Sequence, residues 1–132
     1  MFRLIIPAAL LLVGSAALSA DSYRQREEAR DNADLAKALA GYTPGKPMTC
    51  IEPTRIRDTQ RVGDKIIYKY SSREMYVNDT GGGCFGLRSG DAIITKSYTG
   101  QFCRGDIVRT ADLTTHTPSG SCAFGDFVPY RK

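Results

Sequence analysis

The sequence has few of the residues on which catalytic and metal sites depend. It contains one histidine, His116, and no Cys-x-x-Cys pair, which argues against a zinc site. No segment resembles the Gly-x-Ser-x-Gly nucleophile turn. The glycines at 81–83 are followed by Cys-Phe-Gly-Leu and not by the Lys-Ser/Thr pair and helix of a phosphate-binding loop. We therefore expect no catalytic residue, no cofactor and no metal, and we predict that the protein is not an enzyme.

The chain also lacks a strong charge of either sign and a long apolar segment. Its 18 basic and 14 acidic residues leave a net charge of +4, which is too small to indicate nucleic-acid binding. The longest apolar run, at residues 4–13, is shorter than the roughly 20 residues of a membrane-spanning helix and contains Pro7. An uncleaved membrane anchor is therefore the weaker interpretation of the N-terminus.

Residues 1–20 have the layout of a secretory signal peptide. Arg3 forms a short positive region, the apolar run follows, and small residues continue to Ala20. We predict cleavage in the region of Ser19 and Ala20, a periplasmic or secreted location, and no stable membrane insertion after cleavage.

The four cysteines, Cys50, Cys84, Cys103 and Cys122, all lie in the part of the chain that remains after cleavage. An even number of cysteines in a small exported chain is typical of disulfides. We therefore predict two disulfides. The spacing of the cysteines leaves all three possible pairings open.

The rest of the chain divides into a helix, a linker and a β domain. Residues 21–40 predict an amphipathic helix, since they contain no glycine or proline. Its apolar strip consists of Ala29, Ala33, Ala36, Leu39 and Ala40. Residues 41–48 contain two glycines and two prolines and predict a linker.

Residues 49–132 consist of short β-branched and aromatic runs separated by turn residues. This pattern predicts a mainly β fold, a small antiparallel β-barrel or sandwich of about six short strands. The predicted strands lie at about 50–57, 65–70, 75–78, 92–98, 106–113 and 124–130. The glycine-rich segment at 80–90 predicts a flexible loop.

Gly-Asp pairs occur at 63–64, 90–91, 105–106 and 125–126, each just ahead of hydrophobic residues. Glycine accepts a positive φ without steric cost, and aspartate hydrogen-bonds to nearby backbone in tight turns. The four pairs therefore predict turns that lead into strands, rather than the carboxylates of an active site.

Three polar motifs could carry chemistry, but each has a simpler interpretation. His116 and the nearby Asp112 could act as a base, yet no nucleophile or metal completes the pair. The Arg-Gly-Asp tripeptide at 104–106 would bind an adhesion partner only from an exposed, flexible loop tip. Asn78, Asp79 and Thr80 match an N-glycosylation acceptor, which matters only in a host that glycosylates exported proteins.

Tyr68, Tyr70 and Tyr76 lie on neighbouring predicted strands, and Tyr68 shares a face with Tyr70. Together with nearby cations they could bind a sugar or an anionic ligand. Those cations are Lys65, Lys69 and Arg73. We favour the alternative, in which the tyrosines are half-buried in the sheet with solvated hydroxyls.

Three segments carry a resemblance to a known family: CFGLRSGD at 84–91, CRGDIVR at 103–109 and GDFVP at 125–129. They resemble a family of small exported proteins of Gram-negative bacteria that is catalogued as a domain of unknown function. The resemblance covers roughly residues 45–130. It implies export and a disulfide-stapled β fold in which Cys50 pairs with Cys103, which leaves Cys84 for Cys122. It implies no activity for any residue.

These observations together predict a non-catalytic binding or structural module of the cell envelope. We expect a monomer whose partner is an unidentified protein or envelope component, and no binding to nucleic acid. Two alternatives stay open. The first is an inhibitor of an exported hydrolase, a role in which small disulfide-bonded β proteins often serve. The second is a small enzyme that uses His116 and Asp112.

Overall fold

The computed structural model describes residues 15–132, with side chains described from Ala20 onward. The first fourteen residues of the predicted signal peptide lie outside the described residues. Helix α1 spans Ser15–Ala38 and passes through Ser19 and Ala20, where cleavage stays a prediction. Among the described residues, no helix is long and apolar enough to cross a membrane.

Ten strands follow α1 in the described part of the chain, and they form three antiparallel sheets. The strands are β1 (Thr43–Pro44), β2 (Cys50–Ile51), β3 (Asp58–Val62), β4 (Lys65–Ser71), β5 (Glu74–Asp79), β6 (Ala92–Thr95), β7 (Phe102–Cys103), β8 (Ile107–Ala111), β9 (Pro118–Ala123) and β10 (Phe127–Arg131). A 3-10 turn covers Pro53–Arg55, and a one-turn helix, α2, covers Gly86–Ser89. The predicted mainly β fold with one N-terminal helix is confirmed, although with ten strands rather than about six.

The large sheet has the order β1-β10-β5-β4-β3, and the smaller sheets are β2-β7 and β6-β8-β9. Within residues 15–132 these sheets do not close into a barrel, because β3 and β6 are both edge strands and do not pair with each other. The sheets are instead arranged like a sandwich. The unpaired side between β3 and β6 is where the candidate site lies.

Alternation of side chains along the strands gives the large sheet two apolar faces. One face packs against the smaller sheets through a core that contains Ile66, Tyr68, Val108 and Phe127. The opposite face carries a second buried cluster of Val62, Ile67, Met75 and Val77, which is covered by Leu35 and Ala38 of α1 and by Leu39 just after the helix. The large sheet is therefore the middle layer of the molecule.

Helix α1 uses a different surface from the predicted alanine strip. Ala29, Ala33 and Ala36 are exposed, and the contacts come from the last turns of the helix. Arg88 of α2 holds the middle of the helix through an ion pair with Asp31 at 2.8 Å. The alanines stay exposed because the half-buried positions of the helix, at 27, 31, 35 and 38, lie on another of its faces.

Residues 41–48, predicted as a linker, pair with the last strand of the large sheet. Strand β1 pairs with β10. The Gly45 N–H donates to the Pro129 carbonyl at 2.7 Å, and Met48 and Phe127 exchange two backbone hydrogen bonds of 2.8 Å. The two prolines do not prevent this pairing because the segment forms the sheet edge, where proline is tolerated.

Two disulfides connect the parts of the sandwich. Cys50–Cys103 joins directly opposite residues of β2 and β7, and Cys84–Cys122 joins the glycine-rich segment to β9. This is the pairing that the resemblance implies. The segment at 80–90 is more ordered than the predicted loop, since Cys84 is fully buried and α2 follows it.

All four Gly-Asp pairs come immediately before a strand, as predicted. Gly63, Gly90 and Gly105 have φ values of 58°, 80° and 88°, which L-residues with a side chain rarely adopt. Gly125 has a different role, since its N–H donates to the buried Asn78 Oδ1 at 3.0 Å. The first three pairs thus lie in turns, as predicted, whereas the prediction of a turn is wrong for the pair at 125–126.

Candidate functional site

A groove with a volume of about 510 Å³ lies between β3 and β6, at the side where the sandwich is open. Both of these strands contribute to its lining, together with β4, β7 and the 3-10 turn. The lining residues are Pro53, Ile56, Thr59, Arg61, Tyr68, Ile93, Thr95 and Phe102. A volume of this size falls within the range of about 300–1,000 Å³ that is typical of small-molecule sites.

Strand periodicity explains why these side chains meet. Thr59 and Arg61 are two residues apart on β3 and therefore share a face, and Thr59 lies directly opposite Tyr68 of β4. Ile93 and Thr95 are likewise two apart on β6. The Phe102 ring lies 5.9 Å from the Tyr68 ring, measured between centroids. The groove thus has an aromatic and aliphatic floor.

Two polar atoms of the groove residues are buried without a hydrogen-bond partner among the described residues. They are the Tyr68 hydroxyl and Arg61 Nε. Tyr68 is only 3% exposed, and burial raises the pKa of its hydroxyl well above the ordinary value, while the positive charge of Arg61 opposes that shift. A buried polar group that lacks a partner costs about 1–3 kcal/mol.

Arg61 spans the open side of the sandwich. One of its terminal nitrogens, Nη2, donates to the Asp91 carbonyl at 2.8 Å, just ahead of β6. Among the described residues, no carboxylate forms an ion pair with Arg61. The lining of the groove contains no acidic residue either. The groove therefore carries one unneutralised positive charge.

The catalytic hypothesis for His116 and Asp112 gains little from the geometry. Asp112 Oδ1 accepts hydrogen bonds from the Thr114 and Thr115 backbone N–H groups at 2.7 and 2.8 Å, and these bonds lower the pKa of the carboxyl. His116 has a φ of 56° and donates its backbone N–H to the Asp112 carbonyl. Both residues thus form the turn between β8 and β9.

The Arg-Gly-Asp tripeptide is held in the turn between β7 and β8. Arg104 forms an ion pair with Asp126 at 3.2 Å, and Asp106 Oδ2 accepts the Cys103 N–H at 2.9 Å. The Gly105 N–H donates to the Phe124 carbonyl. The tripeptide is therefore fixed by the surrounding backbone and is not the tip of a free loop.

Asn78 is fully buried, so the N-glycosylation acceptor pattern is not accessible in the folded protein. Its Nδ2 donates to the Gly125 carbonyl at 2.8 Å, and its Oδ1 accepts the Gly125 N–H at 3.0 Å. Thr80, the third residue of the motif, is also buried and donates its hydroxyl to the Asp64 carbonyl at 2.7 Å. The motif is part of the core.

The three tyrosines do not form a surface with the nearby cations, and they are buried rather than half-buried as predicted. Tyr68, Tyr70 and Tyr76 are buried in one core, whereas Lys65 and Lys69 alternate to the other face of β4 and pair with acidic residues there. The tyrosine hydroxyls also differ. Tyr70 exchanges two hydrogen bonds of 2.8 Å with the backbone of Glu52, and Tyr76 donates to Glu74 at 2.6 Å. Tyr68 alone of the three is left without a partner.

Two other depressions are weaker candidates. One, of about 290 Å³, lies on the outer face of the sheet β6-β8-β9 beside the exposed Ile94, Tyr98 and Ile107. The other, of about 450 Å³, lies between α1 and the turn at Asp64 and has mixed charges. Neither is lined by a buried polar atom without a partner. Among the described residues, no group of three or more His, Cys, Asp or Glu side chains could hold a metal ion.

In comparisons with known proteins, no family model matches the chain, and no curated protein and no solved structure matches it. The resemblance to a family of exported proteins therefore stays a prediction. Most residues of the groove carry no signal of a binding site in the sequence. Tyr68 was named as a possible binding residue, whereas Arg61 and Thr59 lie in a polar strand that sequence reasoning did not identify.

Proposed function

We propose that the protein is an exported, non-catalytic binding module of the cell envelope and that the groove between β3 and β6 is its ligand site. The observation that carries this proposal is the pair of buried polar atoms at the groove, the Tyr68 hydroxyl and Arg61 Nε, which have no partner in the described chain. Folded proteins pair nearly all such groups, with the chain itself, with ordered water or with a bound group. A bound ligand would supply the missing partner.

The rest of the groove fits binding better than catalysis. Its polar side chains are one arginine, two threonines and one tyrosine, set among Ile56, Ile93 and Phe102. A few polar groups in a mostly apolar concave surface are typical of small-molecule sites. The lining contains no histidine, cysteine or carboxylate that could serve as a nucleophile or a base near neutral pH.

Export is supported by two independent features. The N-terminal residues have the layout of a signal peptide, and the two disulfides suit an oxidising compartment. The intact mass of the protein from an extracytoplasmic fraction, measured with and without reduction, tests this part. We expect a mass that matches cleavage near Ala20 with thiols that react only after reduction. A full-length mass with free thiols would refute export.

The binding proposal can be tested with a matched pair of variants on β6. Thr95 lines the groove, whereas its neighbour Ile94 lies on the outer face and is 48% exposed. Thr95→Phe should fill part of the groove, and Ile94→Phe should leave it open. The mature wild-type protein and both variants would be incubated with a small-molecule extract of the envelope and analysed by native mass spectrometry.

We expect the same adduct on the wild-type protein and on Ile94→Phe, and a reduced adduct on Thr95→Phe. Urea unfolding of each variant would show that both are folded. Equal adducts on both variants, or no adduct on the wild-type protein, would overturn the proposal.

One observation favours the inhibitor alternative. Tyr98, in the loop between β6 and β7, is 94% exposed, and this loop leads into the disulfide-bonded Cys103. Exposed aromatic residues on rigid supports often dominate protein–protein binding. A panel of exported hydrolases assayed with the wild-type protein and with Tyr98→Ala tests this alternative. We would expect one enzyme to be inhibited by the wild-type protein and about tenfold less by the variant, which is the effect of losing a hot-spot side chain.

A further inference from the structure

We infer that the groove binds an amphipathic organic anion, a molecule with one carboxylate or phosphate-ester head on an apolar body, and that Arg61 binds the head. This inference rests on the proposed function, because it names the chemical class of the ligand for the same groove. It is carried by the charge of the groove, the chemistry of its floor and the hydrogen-bonding state of Arg61.

The charge of the groove selects for an anion. Arg61 is the only charged residue in the lining of the groove. Its guanidinium has no carboxylate partner in the part of the chain that the structure describes. A partly buried positive charge without a counter-charge favours a ligand that brings a negative one. A cationic ligand would meet repulsion, and a neutral one would leave the charge uncompensated.

Arg61 is positioned for this contact. Its Nη2 donates to the Asp91 carbonyl at 2.8 Å, which fixes the guanidinium across the open side of the sandwich, and its Nε still has no acceptor. Carboxylate and phosphate oxygens are the acceptors that arginine binds most strongly. The Tyr68 hydroxyl, also without a partner, offers a second donor.

The floor of the groove offers an apolar surface to the body of the ligand. Ile56, Ile93 and Phe102 are partly buried and pack against the core, so that apolar surface of each remains available on the groove side. Nε and the Tyr68 hydroxyl are covered in the free protein. A ligand head therefore reaches them only after neighbouring side chains change rotamer, a common adjustment on binding.

Three probes that share an apolar chain separate the roles of charge and shape: octanoate and octyl phosphate, each below its micelle concentration, and octanol below its solubility limit. Binding to the mature wild-type protein would be followed by the NMR shifts of Ile93 and Tyr68. Three variants would be compared. Arg61→Gln removes the charge, Arg61→Lys keeps it, and Arg109→Gln removes an exposed arginine from the outer face of β8.

We expect octanoate or octyl phosphate to bind the wild-type protein and Arg109→Gln with equal affinity. Arg61→Gln should bind the same probe with an affinity lower by about tenfold or more, as is usual when a charge-assisted hydrogen bond is lost. Arg61→Lys should bind with intermediate affinity, which also shows that a folded variant at this position keeps the site. Octanol should bind weakly to every form.

The outcomes separate this inference from the proposed function. If octanol binds as tightly as the two anionic probes, and Arg61→Gln does not weaken its binding, the role of charge is refuted. The groove would still be a binding site. If none of the three probes shifts the Ile93 signals, the anion class is refuted. The fold and the export of the protein would not be affected by that result. If the envelope extract also leaves the groove empty, the proposed function fails as well.

Discussion

Replacing Tyr68 by phenylalanine should stabilise the protein, whereas the same change at Tyr70 should destabilise it. The two residues lie on the same face of β4 and are 3% and 7% exposed. Each substitution removes one oxygen atom. The opposite signs arise because the Tyr68 hydroxyl has no partner in the described chain, and the Tyr70 hydroxyl has two.

The expected sizes follow from these contacts. An unpartnered buried hydroxyl costs about 1–3 kcal/mol, and Tyr68→Phe removes that cost while it keeps the ring contacts with Phe102 and Phe124. The small void left by the oxygen offsets part of the gain, so we expect the free energy of unfolding to rise by about 1 kcal/mol. Tyr70→Phe leaves the N–H and carbonyl of Glu52 without their partner and should lower it by about 1–3 kcal/mol.

Urea unfolding of the oxidised mature protein, followed by circular dichroism, measures both changes. In a thermal scan, a gain of about 1 kcal/mol should raise Tm by about 4 °C. If Tyr68→Phe destabilises the protein as much as Tyr70→Phe, then the Tyr68 hydroxyl has a partner, and the argument for an incomplete site at the groove is refuted. If Tyr68→Phe gains stability and loses anion binding, the result would instead support a binding site that the protein keeps at the expense of its stability.

Three further predictions concern stability. The double substitution of Cys84 and Cys122 by alanine should lower the free energy of unfolding by about 4 kcal/mol, because this disulfide closes a separation of 38 residues; urea unfolding at an unchanged oxidation state of the other disulfide would check it. Gly120→Ala should lower the free energy of unfolding by about 1–3 kcal/mol or more, since a Cβ there would lie 2.6–2.9 Å from backbone atoms at 83–85. Gly100→Ala is the control, because its Cβ would face open space and only the positive φ should cost about 1 kcal/mol. Similar losses of stability in the two variants would contradict this packing. Stability should fall as the pH rises above about 10, because the unfolded chain then loses a tyrosine proton that folded Tyr68, with its raised pKa, retains; unfolding measured against pH should show a shallower fall in Tyr68→Phe.

Local sequence patterns predicted much of the fold. The hydrophobic runs that became β4, β5, β8 and β10 were visible because β-branched and aromatic residues alternate or cluster in them. Strands β3 and β9 were missed for the opposite reason. Their sequences, DTQRV and PSGSCA, are polar or small, and they become strands because β4 and β8 offer them hydrogen-bonding edges.

The candidate site was harder to predict than the fold. Tyr68 was noticed, but its grouping with Lys65 and Lys69 was wrong, since alternation places those lysines on the other face of β4. Arg61, the residue on which the ligand argument depends, gives no signal in the sequence. It lies in a strand that only pairing creates, and its hydrogen-bond acceptor is 30 residues away.

The sequence by itself determined the mainly β class, the N-terminal helix and the turns at three of the four Gly-Asp pairs. These features follow from local backbone preferences, which neighbouring residues set. The tertiary structure alone decided that β3 and β6 remain unpaired, that Asn78 is buried, and that Tyr68 and Arg61 meet at a groove without partners for two of their polar atoms. Such features depend on contacts between residues far apart in the chain, whose geometry is fixed only when the sheets pack together.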